Sequence, residues 1–410
     1  GYNCASVAAS LATCVETLLE DANANANANA NAKDKDATDV FVGPPGPTKQ
    51  LAFLVGERRA TSAEVHGTGC VLSAAIAGAI ARGETPLDAV VVGKAFVAEA
   101  IGRAVSTGSG APPAFVPQTW PPRRGALGSS ASSSSFPRLK ASLGQRFCCF
   151  PHVLRRFPDL DDDDDVRDEE PPMRLYALAE SSERARDLFE AGVRDVQLRV
   201  KGAPPSEIAR QIADAVEAAA CHRSARLWVN DYWRAAVDGG AFGVHLGQED
   251  LQDVLASDAN LNALAASGLR LGISTHSPAE LAVALALRPS YVAVGPVFGT
   301  NSKTMTFGPR GLGYVEAWRS FVPEDTTLVA IGGITRHSAA DVLRAGADSI
   351  AVISALPPKD ETGGVLRAAV DDWSANLPWP TDHRQRLRSW FSFPDRHPGT
   401  PFDGNGAGSQ

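Results

Sequence analysis

The chain has 410 residues, of which 44% are hydrophobic and 21% are charged, as expected of a globular protein with two or more domains. Its formal net charge of -8 argues against a broad nucleic-acid-binding surface, and no apolar run approaches the roughly 18 to 20 residues of a membrane-spanning helix. The six cysteines form neither a C-x-x-C pair nor a regular framework, which disfavours a zinc site or a disulfide scaffold and favours a reducing compartment.

The beginning of the chain combines low-complexity sequence with two short apolar runs. Residues 22–32 alternate alanine and asparagine, and residues 33–39 are small and charged. We expect a surface loop here, because this stretch offers too little apolar surface to fold alone. Two strands around a Gly/Pro turn are predicted next, at 39–42 and 50–55.

A glycine-rich segment opens the first helical pattern. An alanine-rich apolar stretch runs from it to about Gly83, and a second helix is predicted over 85–105. Glycines at a helix start expose backbone N–H groups to an anion, although an alanine-rich helix without a ligand has the same pattern. The residues of this candidate anion hole are Gly67, Thr68, Gly69 and Cys70.

Residues 107–172 are predicted to be a disordered linker. They are rich in serine, proline and arginine at first and carry an unbroken run of aspartates at 161–165. Blocks of like charge repel one another and stay solvated. Calcium binding is the alternative for the acidic run, which lacks the interspersed glycine and the ligand spacing of a calcium loop.

After Met173 the sequence alternates short apolar runs with helical segments. The runs are rich in Val, Ile and Leu, as in parallel strands buried on both faces, and their spacing leaves room for one helix each. This pattern favours an α/β fold, a (β/α)₈ TIM barrel, over the alternative of an open doubly wound sheet. A final helix at 364–373 would close the barrel, and an irregular tail is expected at 377–410. The eight predicted strands are 174–178, 195–200, 226–229, 243–246, 270–274, 291–294, 327–331 and 349–353.

Carboxylates follow two neighbouring strands of the predicted barrel, Asp231 after one and Asp250 after the next. Because the carboxyl ends of parallel strands meet at one rim, we expect these two side chains to lie close together. They could share a hard cation such as Mg²⁺, whose other ligands would be waters and a phosphate-bearing substrate. The alternative is that each aspartate only caps the following helix.

Cationic and small residues complete the predicted rim. Gln197, Arg199 and Lys201 alternate at one strand end and would bring two cations toward the carboxylates, which suggests a pyrophosphate ligand. Gly333 and Ser354 follow the last two strands, where barrels commonly bind phosphate. Each residue also has a plainer interpretation. Arg199 and Lys201 could be surface charges, Thr300 and Ser302 turn formers, and His245 and His276 hydrogen-bonded structural residues, which we favour for the histidines.

The barrel segment resembles thiamine phosphate synthase. The resemblance covers residues 173 to about 376, in order, and rests on VQLRVKG (196–202), VND (229–231), GVHLGQED (243–250), GISTH (272–276), GPVFGTNSK (295–303), AIGGIT (330–335) and AVISA (351–355). The family often has Glu at the position of Val200 and Thr at that of Ser302, and neither departure removes a proposed charge.

The resemblance implies a transferase that joins an aminopyrimidine diphosphate to a thiazole phosphate. Mg²⁺ is the implied cofactor, on Asp231 and Asp250, and the catalytic residues would be Arg199, Lys201, Ser274 and Lys303. The implied partners are these small-molecule substrates, with no nucleic acid and no membrane; a homo-oligomer is left open. The cytoplasm or a plastid stroma is expected. The implied substrate-binding residues are Gln197, Arg199, Lys201, Asn230, Ser274, Thr300, Ser302, Lys303, Gly333, Ile353 and Ser354.

Two other functions remain open for the barrel. It could be a catalytically inactive regulatory domain that still binds thiamine precursors, or another phosphate-binding barrel enzyme such as an isomerase. The sequence patterns do not separate these from the transferase.

The N-terminal segment, from VHGTGC (65–70) to about 105, resembles the C-terminal part of hydroxymethylpyrimidine phosphate kinase, a ribokinase-like enzyme. That resemblance implies an anion hole in which Cys70 lies near the accepting hydroxyl or phosphate. Such a kinase needs most of a doubly wound sheet before this motif, and the chain starts with Gly1 rather than Met. We therefore expect a bifunctional fusion with a truncated, inactive kinase part at 1–106, a barrel at 173–376 and a possible fragment overall.

Overall fold

The structure, a computed structural model, describes residues 36–42, 51–57, 65–102, 138–143, 173–300, 308–323 and 326–379. The predicted loop at 22–32, most of the predicted linker and the tail beyond residue 379 lie outside the described residues, as do Ser302 and Lys303.

Eight parallel strands close into a barrel in chain order, with the last strand beside the first. Apart from shifts of one or two residues at some ends, they lie where the apolar runs predicted them. This confirms the predicted (β/α)₈ fold. The barrel strands are β4 (Leu175–Ala179), β5 (Asp195–Leu198), β6 (Arg226–Asn230), β7 (Gly243–Leu246), β8 (Arg270–Thr275), β9 (Tyr291–Val294), β10 (Thr327–Ile331) and β11 (Ser349–Val352).

Alternating residues of each strand serve two separate apolar layers. In β4, Leu175, Ala177 and Ala179 pack in the layer between strands and helices. Tyr176 and Leu178 point the other way, into the barrel interior, where they meet Trp228 and Tyr291. This two-residue period explains why the strands are apolar throughout rather than amphipathic.

Helices follow the barrel strands and cover them on the outside. Several begin at a serine whose hydroxyl accepts a backbone N–H of the first turn; Ser181, for example, accepts from Arg184 at 3.2 Å. These helices are α3 (Ser182–Glu190), α4 (Pro205–Ala220), α5 (Trp233–Asp238), α6 (Gln248–Leu255), α7 (Asp258–Ala266), α8 (Pro278–Leu287), α9 (Leu312–Phe321), α10 (Ala339–Arg344) and α11 (Gly364–Ala375).

The N-terminal part forms a three-stranded antiparallel sheet and a pair of helices. The sheet has the order β1 (Asp36–Val42), β2 (Leu51–Glu57), β3 (Arg138–Leu143), and the helices are α1 (Thr68–Ala81) and α2 (Pro86–Gly102). Helix α2 packs against α1 and against α8, and β3 also lies beside α8. The buried side chains of Val91 and Ala95 join the core of the barrel helices, so the two parts share one apolar core.

Two segments differ from the sequence expectation. The predicted linker contains β3, whose residues pair with those of β2 nearly 90 positions earlier in the chain. In β3, Leu139, Ala141 and Leu143 alternate with polar residues. This strand pattern is stabilised by the distant partner strand. The start of the predicted irregular tail is packed, because Trp379 is buried and donates its indole N–H to the carbonyl of Trp373 at 3.0 Å.

Candidate active site

Two carboxylates meet at the carboxyl-end rim of the barrel. Asp231 follows β6 with a positive φ of 69°, and its N–H donates to the carbonyl of His245 at 2.9 Å, which holds the strained turn against β7. Asp250 lies in the first turn of α6. Burial and the neighbouring charge of Asp231 raise the pKa of Asp250 to about 6, helped by a hydrogen bond between the two side chains. The pair thus concentrates negative charge that a cation would relieve.

Neither aspartate acts as the side-chain cap of its helix. Helix α5 is preceded by Tyr232 and helix α6 by Gly247 at the cap position, and neither start has a side-chain cap hydrogen bond. The plainer alternative for these carboxylates is therefore not what the structure shows.

The predicted cations lie in the loop after β5. The strand ends at Leu198 rather than Val200, although the N–H of Arg199 still bonds the carbonyl of Ala179 at 2.8 Å. Lys201 is exposed, and its Nζ lies 3.4 Å from Asp231 Oδ2. Gly202 with a positive φ and two following prolines end the ladder early. This exposed lysine beside the carboxylate pair is accessible to a negatively charged substrate.

The donor set of the rim fits a hard cation with few protein ligands. Carboxylate oxygens are the ligands that Mg²⁺ prefers, and Mg²⁺ usually keeps several waters and substrate phosphate oxygens. Within the described residues no cluster of three His, Cys, Asp or Glu side chains forms a full protein cage. The oxygen donors of Asp231 and Asp250 are of the type that fits a hard cation.

A buried chain of hydrogen bonds runs across the barrel interior and ends at the same rim. Gln197 Nε2 donates to the Tyr176 hydroxyl at 2.8 Å, and this hydroxyl lies 2.9 Å from that of Tyr291. The Tyr291 hydroxyl lies 2.8 Å from His245 Nδ1, and His245 Nε2 lies 2.8 Å from Ser274 Oγ. The expectation that His245 is a hydrogen-bonded residue is confirmed. The sequence analysis did not single out Tyr176 and Tyr291.

Gln248 and Asn230 also shape this side of the rim. Gln248 Nε2 donates to the backbone carbonyl of Ser274 at 2.5 Å, and Asn230 is buried at the end of β6. The sequence analysis did not assign Gln248 a role. His276 is hydrogen-bonded within its own helix start, since both its backbone N–H and its Nδ1 contact Glu280, at 2.6 and 3.0 Å.

The loops after β9 and β10 pack backbone against backbone. Gly332 and Gly333 have positive φ values of 102° and 62°, and a Cβ on Gly333 would lie 2.3 Å from the carbonyl oxygen of Gly299. The N–H of Phe298 donates to the carbonyl of Gly332 at 3.0 Å. Only glycine fits this double turn. Thr300 lies just beyond Gly299.

The remaining predicted residues fall on two loops. Ile353 and Ser354 follow β11, with Ser354 exposed, at the position expected for a phosphate loop. In the N-terminal part, Gly67 with a φ of 84° opens helix α1, so Thr68, Gly69 and Cys70 form its first turn, in which Cys70 is exposed.

Comparison with known proteins assigns the barrel. A family model described as thiamine monophosphate synthase matches residues 173–356. The thiamine-phosphate synthase of Neisseria meningitidis serogroup A is 42% identical over 205 residues, which are 49% of this chain and 95% of that protein. The chain belongs to the thiamine-phosphate synthase family. Another family member, from Escherichia coli O157:H7, is 48% identical over 184 residues, covering 44% of this chain and 83% of its own length.

Two further similarities accompany this family assignment. The solved structure of a thiamine phosphate pyrophosphorylase from Pyrococcus furiosus aligns with 49% of this chain and 96% of its own, at 28% identity and a TM-score of 0.41. A family model described as phosphomethylpyrimidine kinase matches residues 10–114, which extends beyond the resemblance at 65–105 on both sides. The two family models confirm both resemblances stated above. In the part of the chain that the structure describes, no helix is long and apolar enough to cross a membrane.

Proposed function

We propose that this protein is a thiamine-phosphate synthase, which joins an aminopyrimidine methyl diphosphate to a thiazole phosphate. The main support is the arrangement of side chains at the rim. Asp231, Asp250 and Lys201 lie together there, beside the two ends of the buried hydrogen-bond chain, which are Gln197 and Ser274. The identity of 42% over nearly the whole length of a thiamine-phosphate synthase supports the same activity. The products would be thiamine phosphate and diphosphate.

The reaction requires one bond to break and one to form. The C–O bond between the pyrimidine methylene and the diphosphate breaks, and its electron pair leaves with the diphosphate. The thiazole nitrogen then gives its lone pair to the methylene carbon, and the positive charge ends on the thiazolium ring. No nucleophile from the protein is needed, so the task of the site is to hold charge and exclude water.

Charge on the leaving diphosphate would be held from two sides. Asp231 and Asp250 would hold Mg²⁺, and this ion would supply electrostatic stabilisation of the leaving group. Arg199 and Lys201 bind the same oxygens from the β5 side, and Lys303, outside the described residues, would add a further cation. Lys201, which contacts Asp231 here, would exchange this contact for one with the diphosphate when the substrate binds.

The two organic rings would bind at different parts of the rim. Gln197, Asn230 and Ser274 form the pyrimidine side, where buried polar groups can pair with ring and amino nitrogens. The glycine turn at Gly333 and the loop at Ile353 and Ser354 would bind the thiazole phosphate through backbone N–H groups, since loops after the seventh and eighth barrel strands commonly do so. Thr300 and Ser302 complete this side in the proposal.

The domain division follows the same reasoning. We place the synthase at 173–376 and the kinase-like part at 1–106, which the structure joins through α2 and α8. A reducing compartment, the cytoplasm or a plastid stroma, suits Cys70 and Cys221, both free thiols among the described residues.

Incubation of the full chain with both substrates and Mg²⁺, with thiamine phosphate quantified by chromatography, tests the proposal. We expect product only when both substrates and the metal are present. Calorimetry with each substrate alone separates the alternatives. Ligand binding without product would favour a regulatory domain, and neither binding nor product would favour another barrel enzyme.

A further inference from the structure

The five groups of the buried chain form a series in which each hydroxyl or ring can both donate and accept a hydrogen bond. The chain is Gln197, Tyr176, Tyr291, His245 and Ser274, with four contacts of 2.8 to 2.9 Å. Both phenols are fully buried, and burial holds the pKa of each well above its usual range. The hydroxyls therefore keep their protons and remain available as hydrogen-bond donors along the chain.

The donor at one end fixes the direction of the whole series. The Gln197 amide N–H donates to Tyr176, and the arrangement in which every group then donates once has Tyr176 donating to Tyr291 and Tyr291 donating to His245 Nδ1. His245 then carries its proton on Nε2 and donates to Ser274 Oγ. The Ser274 hydroxyl is left to donate beyond the chain, and the Gln197 carbonyl oxygen is left to accept.

One glycine makes room for the middle of the chain. A Cβ on Gly272 would lie 2.4 Å from the Tyr291 hydroxyl and 2.0 Å from the ring carbon that bears it. Gly272 in β8 thus leaves the space that the Tyr291 phenol occupies inside the barrel. The Tyr291 ring also stacks on His245 at an interplanar angle of 10°. The phenol cannot shift without displacing both neighbours.

We propose that Tyr176, Tyr291 and His245 are positioning residues that fix the polarity of two substrate contacts, an acceptor at Gln197 and a donor at Ser274. A 4-aminopyrimidine offers the complementary pair, an amino donor beside a ring-nitrogen acceptor. The 4-oxo analogue reverses both, with a carbonyl acceptor beside an N–H donor. The chain therefore selects the amino form; this rests on the proposed function.

The test compares kcat/KM for the 4-amino and 4-oxo pyrimidine methyl diphosphates in wild type and in Tyr291→Phe. Without the Tyr291 hydroxyl, the hydroxyl proton of Tyr176 can turn toward Gln197, and the Gln197 amide can then rotate. The Tyr291 hydroxyl also no longer selects one tautomer of His245. We expect the amino-over-oxo preference to fall by about tenfold, as the loss of one buried pairing implies. Tyr176→Phe should act in the same direction.

Tyr314→Phe is the matched control. Its hydroxyl, largely buried, also donates one hydrogen bond, to the His276 carbonyl at 2.7 Å, but lies outside the chain. Tyr314→Phe should leave the amino-over-oxo preference unchanged while lowering the thermal midpoint about as much as Tyr291→Phe does. A preference in Tyr291→Phe and Tyr176→Phe within twofold of the control would overturn the proposal.

Nitrogen-15 NMR of the histidine-labelled wild-type protein gives an independent test that does not require activity. The His245 signals, identified by their loss in His245→Asn, should show a neutral ring protonated on Nε2. A ring protonated on Nδ1, or on both nitrogens, at pH 8 would contradict the direction of the chain. Failure of the wild type to make thiamine phosphate would instead refute the proposed function, and the NMR result would stand apart from it.

Discussion

Replacing Asp88 with alanine removes a contact that joins the N-terminal helices to the barrel. The Asp88 side chain is buried, its Oδ1 accepts the N–H of Ala279 at 2.8 Å, and its Oδ2 accepts the hydroxyl of Thr85 at 2.5 Å. Ala279 is the second residue of α8, so its N–H has no acceptor within the helix. Asp88→Ala leaves this N–H without its partner at a buried helix start.

The loss of free energy at the contact between α2 and α8 follows from the kind of hydrogen bond that is removed. A bond from a backbone N–H to a charged carboxylate at a helix start contributes about 2 kcal/mol, counting the unpaired group that remains. At roughly 1.4 kcal/mol per factor of ten, the open form in which α2 leaves α8 becomes about 30 times more populated. Amide exchange in both helices should accelerate by that factor.

Hydrogen exchange followed by mass spectrometry measures this directly. We expect peptides from α2 and from the beginning of α8 to lose protection, while peptides from β5 and β6 keep theirs. Asp214→Ala is the control, because Asp214 pairs with Arg210 on the outer surface of α4. Protection of α2 equal to that of the control variant would refute the claim that Asp88 joins the two parts.

Three further predictions concern the site and the N-terminal part. Asp231→Ala and Asp250→Ala should abolish turnover with an unchanged circular dichroism spectrum; loss of the spectrum, or two-thirds of normal activity, would show that the assignment is wrong. Gly333→Ala, whose Cβ would lie 2.3 Å from the carbonyl oxygen of Gly299, should raise KM for the thiazole phosphate more than KM for the pyrimidine, as steady-state kinetics would show. The described N-terminal elements are an antiparallel sheet and two helices rather than a doubly wound sheet, so we expect no ATP-dependent phosphorylation of hydroxymethylpyrimidine or its monophosphate; robust phosphorylation lost in Cys70→Ala would contradict this.

The barrel and the position of its rim could be predicted because both follow from local patterns. Each apolar run is long enough for one strand, and parallel topology brings the strand ends together whatever the details of packing. Asp231 and Asp250 therefore meet as expected, although they belong to different strand–helix units.

The buried hydrogen-bond chain could not be predicted in the same way. Tyr176 and Tyr291 are 115 residues apart in sequence, and their contact depends on barrel closure and on the space that Gly272 leaves. The sequence signal was the polar atom that each tyrosine carries in an otherwise apolar strand. A buried hydroxyl requires a hydrogen-bond partner, but the sequence does not show which residue provides it.

Strand β3 was missed for a related reason. It pairs with β2 across a long intervening segment, so its stability comes from a distant strand and from α8 rather than from its own neighbours. The surrounding composition, rich in serine and charged residues, indicated a linker. Within the described residues, local composition alone therefore did not identify this paired stretch.

The most direct test of the synthase assignment measures thiamine phosphate and diphosphate together in one reaction. With the pyrimidine diphosphate, the thiazole phosphate and Mg²⁺, we expect the two products in equal amounts, with neither formed by Asp250→Ala or after chelation of the metal. Diphosphate release without thiamine phosphate, or no product despite binding of both substrates, would contradict the proposed function.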